Sequence, residues 1–344
     1  GINHTDPADW RGPALAANEG DWIHRFSAQD IAEIENAVRS ARAKGCEIAT
    51  LTKEDFPLPN VASRLGSARD ALENAHGIYV LRGIPTEGRT KDDLRFLFWG
   101  LGLHLGTPVC QSYKGDYLGD VRDFGESGQG RLYTSNKGGG FHVDTCDVVG
   151  LFVLRTAKSG GLSQIASTVA IHNEIARTRP DLLDILFEPF VWNSSVPGAE
   201  PPYFSQPVFS ERNGRLSCMY LPSKIRRAEK MGVSKLTQKQ NEALDLIMTL
   251  AEDPKFQLAM MFEPGDIQLL NNHVCVHART GFEDYPEPDR KRHLLRLWLS
   301  VENSRALDPA LIPTYGDVRP GVVRAGIGNE CGIRIYRSSE ELGD

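Results

Sequence analysis

The chain has 344 residues, 40% of them hydrophobic and 24% charged, with a formal net charge of -6. That balance is ordinary for a globular enzyme, and it offers no basic face of the kind that a nucleic acid or an anionic membrane surface requires. No apolar run reaches the roughly 18 residues of a spanning helix, and the polar first residues lack the apolar core of a secretory signal. A cytoplasmic protein acting on a small molecule is expected, with self-association left open.

Taken in chain order, Ser27 and Asp30 form a capping-box pattern, Ile31, Ile34 and Val38 share one face, and Gly45 supplies a stop. This predicts a first long helix. A second is expected after Asn60, with Val61, Leu65 and Leu72 on one side, and residues 77–82 (GIYVLR) read as a short buried strand. Thr90 and Asp93 open a third helix carrying Leu94, Leu97, Phe98 and Leu101. From about Val109 short apolar runs recur between Gly, Pro and Asn, over 148–154, 216–221, 257–262, 267–270, 274–276 and 294–301. Two helical segments interrupt them, 168–178 and 237–252, the latter with Leu244, Ile247, Met248 and Ala251 on one stripe.

The expected fold is α+β and β-rich: a double-stranded β-helix (jelly roll, cupin-like) with helices packed outside. A single catalytic domain over 1–344 is expected, with helical decoration over 1–105, the jelly-roll core over 106–302 and an extension over 303–344. The six cysteines, Cys46, Cys110, Cys146, Cys218, Cys275 and Cys331, show no CxxC spacing. They argue against a zinc or iron–sulfur site and for reduced, buried thiols.

The most informative feature is His142-Val143-Asp144. Residues i and i+2 of an extended segment point the same way, so both side chains reach one metal without a special turn. Two histidines and a carboxylate are the usual protein ligands of a mononuclear non-haem Fe(II) centre with open coordination positions. The third ligand must come from a distant strand. His273 and His277 both qualify, and their spacing puts them on one face, so spacing does not choose between them. The glycines at 138–140 suit a close approach beside the metal or an ordinary turn, and no phosphate-loop pattern follows them.

Arg292 and Arg296 suggest what fills the open positions. Alternation puts Arg292, Leu294, Arg296 and Trp298 on one face and Leu295, Leu297 and Leu299 on the other, as in a strand buried on both sides. A guanidinium inside such a strand is costly without an anion, and its planar fork suits a carboxylate. Ser163, after Gly160-Gly161-Leu162, offers a hydroxyl to the same ligand. Three readings follow: an oxygenase with a bidentate anionic co-substrate, a cupin-like lyase or isomerase without one, and a non-catalytic metal-binding module. The second leaves Arg296 without a purpose.

Four segments, FHVDTCDVVGLFVLR, SGGLSQIAS, PGDIQLLNNHVCVHART and RHLLRLWL, together resemble the TauD/TfdA branch of Fe(II)- and 2-oxoglutarate-dependent dioxygenases, from about Ile78 to about Ser300. The resemblance implies Fe(II) held by His142, Asp144 and His277, with Asn271-Asn272 in the family's pair before the distal histidine. It implies 2-oxoglutarate held by Arg292 and Ser163, with Arg296 near its metal-bound end or touching substrate. O2 is then consumed, succinate and CO2 leave, and an unactivated C–H bond is hydroxylated, desaturated or used in ring closure. Asp144 keeps the carboxylate that halogenating relatives lack, so halogenation is not expected. Residues 106–111 lack the histidine expected for sulfonate recognition, which makes taurine an unexpected substrate. Candidate substrate contacts are Tyr133, Asn136, Lys137 and Arg279, with Tyr113, Tyr203 and Tyr220 as further wall residues. Lys137 or Arg279 would suit a small carboxylate or an amino-acid-like molecule.

Overall fold

A computed structural model of the protein describes residues 3–124 and 137–327. Its centre is a seven-stranded sheet in the order Ile23–Arg25, Ile78–Arg82, Ile267–Asn271, Val148–Arg155, His293–Ser300 and Thr107–Pro108, with Gly119–Val121 also paired to His293–Ser300. All pairs are antiparallel except the first, where Ile23 lies opposite Val80 in parallel. A second, three-stranded sheet runs Leu258–Met260, Ser163–Ser167 and Cys275–Arg279. The two sheets share one apolar core, in which Val149, Val153, Leu294 and Trp298 from the large sheet join Ile165, Val276 and Ala278 from the small one. This is the jelly-roll architecture expected from the recurring short apolar runs.

The helices form where the sequence signals them. Ser27 and Asp30 make both halves of the capping box at the start of Ala28–Ala43, and Thr90 caps Lys91–Leu105 through the Asp93 amide. Val61–Asn74 follows Asn60, which makes no side-chain cap. Their apolar faces cover the outer side of the large sheet, with Leu65, Leu97 and Phe98 in one cluster with Phe152, Leu295, Leu297 and Leu299. Burying a leucine of this kind stabilises the fold by about 1.5–3 kcal/mol.

Some local expectations fail for physical reasons. The front of the chain is not only helical wrapping, because Ile23–Arg25 and Ile78–Arg82 are themselves strands of the large sheet. The run at 216–221 is a strand only over Arg215–Cys218, since the chain then turns into a helix, Pro222–Lys230. The segment carrying His142 and Asp144 is not a strand: His142 makes one isolated bridge, to His277. Among the described residues the cysteines are free thiols; Cys331 lies outside them.

Candidate active site

His277 sits in the middle of Cys275–Arg279, paired with Ile165 of the small sheet. The opposite edge of its backbone holds His142: the His142 amide donates to the His277 carbonyl at 3.0 Å, and the reverse bond is 2.9 Å. Asp144 follows with its amide 3.3 Å from Asn272 Oδ1. The result brings one donor atom from each of His142, Asp144 and His277 within 4.8 Å of one another. Asp144 Oδ1 lies 3.7 Å from His142 Nε2, and Asp144 Oδ2 lies 3.6 Å from His277 Nε2. His142 Nδ1 is 3.0 Å from the Gly140 carbonyl, which orients the ring and leaves Nε2 towards the carboxylate. Burial pulls the His277 pKa down to about 4, so its imidazole is neutral at pH 7, the form that ligates a metal.

The competing histidine has another job. His273 is fully buried, with Nε2 2.8 Å from Asp147 Oδ1, and its ring packs at a tilt on Tyr315. Arg324 donates to the same carboxylate oxygen at 2.9 Å, and the Val301 amide donates to the other at 3.0 Å. Burial alone would raise the Asp147 pKa, but His273 and Arg324 hold it below the usual range. This buried network lies behind the Asp144 turn and supports the Asn271-Asn272 loop that meets it.

A cavity of about 780 Å³ opens over the three converging side chains. Ser163, Arg292 and Arg296 line it too. Along His293–Ser300, Leu294, Arg296 and Trp298 face this space while Leu295, Leu297 and Leu299 face the helices. Arg292 is 4% exposed, its Nη1 is buried without a hydrogen-bond partner among the described residues, and its amide donates to Asp284 Oδ1 at 2.7 Å. Burial, and then Arg279, pull its pKa down to about 9. A bound anion would remove that cost. Gly161, at φ +72, makes the approach possible: a Cβ there would stand 3.2 Å from Arg292 Nε.

Two glutamines hold these lining side chains in place, and the residue pattern did not single them out for this. Gln111 accepts from Arg296 Nε at 2.8 Å and donates to the Arg296 carbonyl at 2.7 Å, fixing that guanidinium from both ends. Gln268 donates to Ser163 Oγ at 3.0 Å. A polar residue inside the apolar run 267–270 was the available signal for the latter.

The substrate candidates divide. Arg279 lines the cavity, with a lowered pKa from burial, and donates to the Lys137 carbonyl. Lys137 itself is exposed and is not among the lining residues. Tyr113 lines the cavity, whereas Tyr203 does not, and Tyr220 is buried with its hydroxyl donating to the Leu244 carbonyl at 2.7 Å. Tyr133 and Asn136 lie outside the described residues. The glycines before His142 are a close approach: a Cβ on Gly138 would meet the Gly281 nitrogen at 2.9 Å.

Comparison with known proteins places the chain in a family. Residues 43–298 match the model of the "Taurine catabolism dioxygenase TauD, TfdA family". The chain is 33% identical over 313 residues to FR-33289 synthase of Streptomyces rubellomurinus, covering 87% of this chain and 91% of that protein. It is 30% identical over 310 residues to the taurine hydroxylase-like protein SAT17 of Stachybotrys chartarum, covering 85% and 78%. Among solved structures, asparagine oxygenase in complex with Fe(II), 3-hydroxyasparagine and succinate superposes with a TM-score of 0.63 at 16% identity, over 81% of this chain and 93% of that one. The chain belongs to the TauD/TfdA family and is an Fe(II)- and 2-oxoglutarate-dependent dioxygenase.

Proposed function

We propose that the cavity over His142, Asp144 and His277 is the active site, and that these three side chains are the Fe(II) ligands. The observation that carries the reading is the pairing of a convergent two-histidine, one-carboxylate set with Arg292 in the same cavity, whose buried Nη1 has no hydrogen-bond partner among the described residues. Arg292 and Ser163 bind the distal carboxylate of 2-oxoglutarate. Arg296, held by Gln111, stands nearer the metal and neutralises charge at the chelating end or on the substrate.

Iron and 2-oxoglutarate bound here would supply the oxidation of a substrate C–H bond by O2, with 2-oxoglutarate converted to succinate and CO2. The protein's part is geometric and electrostatic. The two imidazoles and the Asp144 carboxylate give the donor set, Arg292 orients the co-substrate, and Phe141, Val149, Leu294, Phe262 and Trp298 keep much of the cavity wall apolar. The substrate is a small polar molecule, amino-acid-like or a carboxylate. The solved asparagine oxygenase supports that class by analogy, and the free thiols support a reducing, cytoplasmic setting. No helix of the described residues is long and apolar enough to cross a membrane.

The test is anaerobic. Adding Fe(II) and then 2-oxoglutarate to metal-free protein is expected to produce the weak visible charge-transfer band of the chelate, and Asp144→Ala to abolish it. A folded, iron-loaded protein without the band would overturn the assignment of the cavity.

A further inference from the structure

Residues 324–327 form a strap that crosses beside the proposed metal turn. Three consecutive amides there bond to three different parts of the fold. Ala325 donates to the Tyr315 carbonyl at 2.8 Å, Gly326 to the Thr145 carbonyl at 3.0 Å and Ile327 to the Cys110 carbonyl at 2.8 Å. Arg324 fastens the start of the strap: it is buried, with Nε 2.9 Å from Asp147 Oδ1 and its amide 3.0 Å from Ser300 Oγ. Ala325 has φ +71 and Gly326 φ +80. A non-glycine residue rarely keeps such a conformation unless its surroundings impose it, and residues held in this way gather at functional sites. At Gly326 the fit admits no side chain, because a Cβ would stand 2.9 Å from Val109 Cβ and 3.1 Å from the Cys110 nitrogen and oxygen.

Of these four residues, Ile327 lines the cavity. Its place follows from the backbone bonds. The Val109 amide donates to the Trp298 carbonyl at 2.9 Å, so Cys110, and Ile327 bonded to it, stand at the Trp298 end of the strand His293–Ser300. Trp298 lies opposite Val149 across the sheet, and both line the cavity. Arg292 precedes the other end of that strand, and the run from His293 to Trp298 covers roughly 17 Å at about 3.3 Å per residue. The proposed co-substrate residue and Ile327 therefore belong to opposite ends of the strand. Ile327, Val149 and Trp298 give their end an aliphatic and aromatic surface, and Ile327 also packs against the main core. A surface of that kind reads size and shape: one methylene more or less in an apolar pocket changes selectivity by about 10–200-fold.

We propose that Ile327 is a specificity-determining residue: held by the strap, it bounds the Trp298 end of the cavity, touches a hydrocarbon part of the substrate and limits its length. The substrate is then a small polar molecule that carries an aliphatic portion, turned away from Arg292. The inference rests on the active-site assignment above and adds to it a substrate contact from a segment far along the chain from the proposed iron ligands. Neither iron nor 2-oxoglutarate draws on the Ile327 side chain, so changes there act on the choice of substrate.

The experiment uses the full chain loaded with Fe(II) and 2-oxoglutarate, without O2. Two series of probes are titrated: straight-chain carboxylates from propanoate to octanoate, and straight-chain L-2-amino acids from alanine to 2-aminooctanoate. Binding is followed by calorimetry and by perturbation of the charge-transfer band. In at least one series the parent protein is expected to bind members up to a limiting chain length and to reject longer ones. Ile327→Ala should tighten binding of the first rejected member by about 10-fold or more, and Ile327→Phe should weaken the longest accepted member by a similar factor. Val323→Ala, at an exposed position just before the strap and outside the cavity lining, should keep the parent's limit. One common limit for the parent, Ile327→Ala and Ile327→Phe would overturn the proposal, as would a parent protein that binds no member of either series. A fall in 2-oxoglutarate affinity in Ile327→Ala without any change of limit would likewise overturn it, in favour of a purely structural role. Absence of the band in the parent protein would instead overturn the active-site assignment, and a band retained in the variants shows that they are folded.

Discussion

His142 and His277 hold each other through backbone: the two amides and two carbonyls exchange hydrogen bonds of 3.0 and 2.9 Å, while their rings lie 4.6 Å apart between centroids. The positions of these side chains are thus set without the side chains themselves. Replacing His277 or Asp144 by alanine is expected to abolish tight Fe(II) binding while circular dichroism stays native. Asn272→Ala, which removes the acceptor for the Asp144 amide, should weaken iron by about 10–100-fold. Metal titration of the three variants checks this, and an Asn272→Ala protein that binds iron like the parent would remove the positioning role.

Arg292 and Ser163 should differ in weight. Arg292→Ala removes a charged donor and is expected to raise the 2-oxoglutarate Kd by about 10–100-fold. Ser163→Ala removes a neutral hydroxyl that Gln268 also uses, and should cost less than about 10-fold. Both constants come from titrating the anaerobic charge-transfer band. Equal losses would mean that the distal carboxylate is held elsewhere.

The two faces of His293–Ser300 can be separated. Leu297 is 1% exposed and packs towards the helices, away from the cavity. Leu297→Ala should lower unfolding free energy by about 2–5 kcal/mol in urea titrations and leave 2-oxoglutarate affinity unchanged. A parallel loss of affinity would contradict the division of faces.

Stability should fall on mild acidification. His293 is fully buried with Nε2 2.7 Å from Asp120 Oδ1, and burial pulls its pKa down to about 4 despite the pull of Asp120 in the other direction. In the unfolded chain the ring takes its proton near pH 6.5. Between those values the unfolded state binds a proton that the folded state refuses, so the contribution present above about pH 6.5 is lost as pH falls towards 4. Urea midpoints from pH 7.5 to 4.5 should therefore drop less steeply for His293→Gln than for the parent protein.

The periodic features were legible in the residues. Alternation over 292–299 located both arginines and both faces of the strand, and the capping patterns at Ser27 and Thr90 located two helix starts. The choice between His273 and His277 was not available from spacing, because positions four apart would share one face of an extended strand; in the structure His273 lies in the turn before Cys275–Arg279. The structure separates them through Asp147, which reaches His273 from a segment 126 residues away in the chain. The helix Pro222–Lys230 went unread because most of its nine residues are polar or charged; Pro222 at its first turn, with Ile225 and Ala228 one turn apart, was the signal present. Lys137 drew attention by closeness in sequence to His142, and closeness in sequence does not make a wall of a cavity.

The contact between Arg324 and Asp147 spans 177 residues. During synthesis at about 5–20 residues per second, the interval between them is on the order of ten to thirty seconds. A nascent chain that has just released His277 owns every proposed iron ligand. Behind Asp144, however, it carries a carboxylate at 147 that still lacks a cation destined to be buried with it. Competence to hold metal would therefore wait on residue 324: the proposed ligands emerge first, and the counter-charge buried beside their supporting turn follows later.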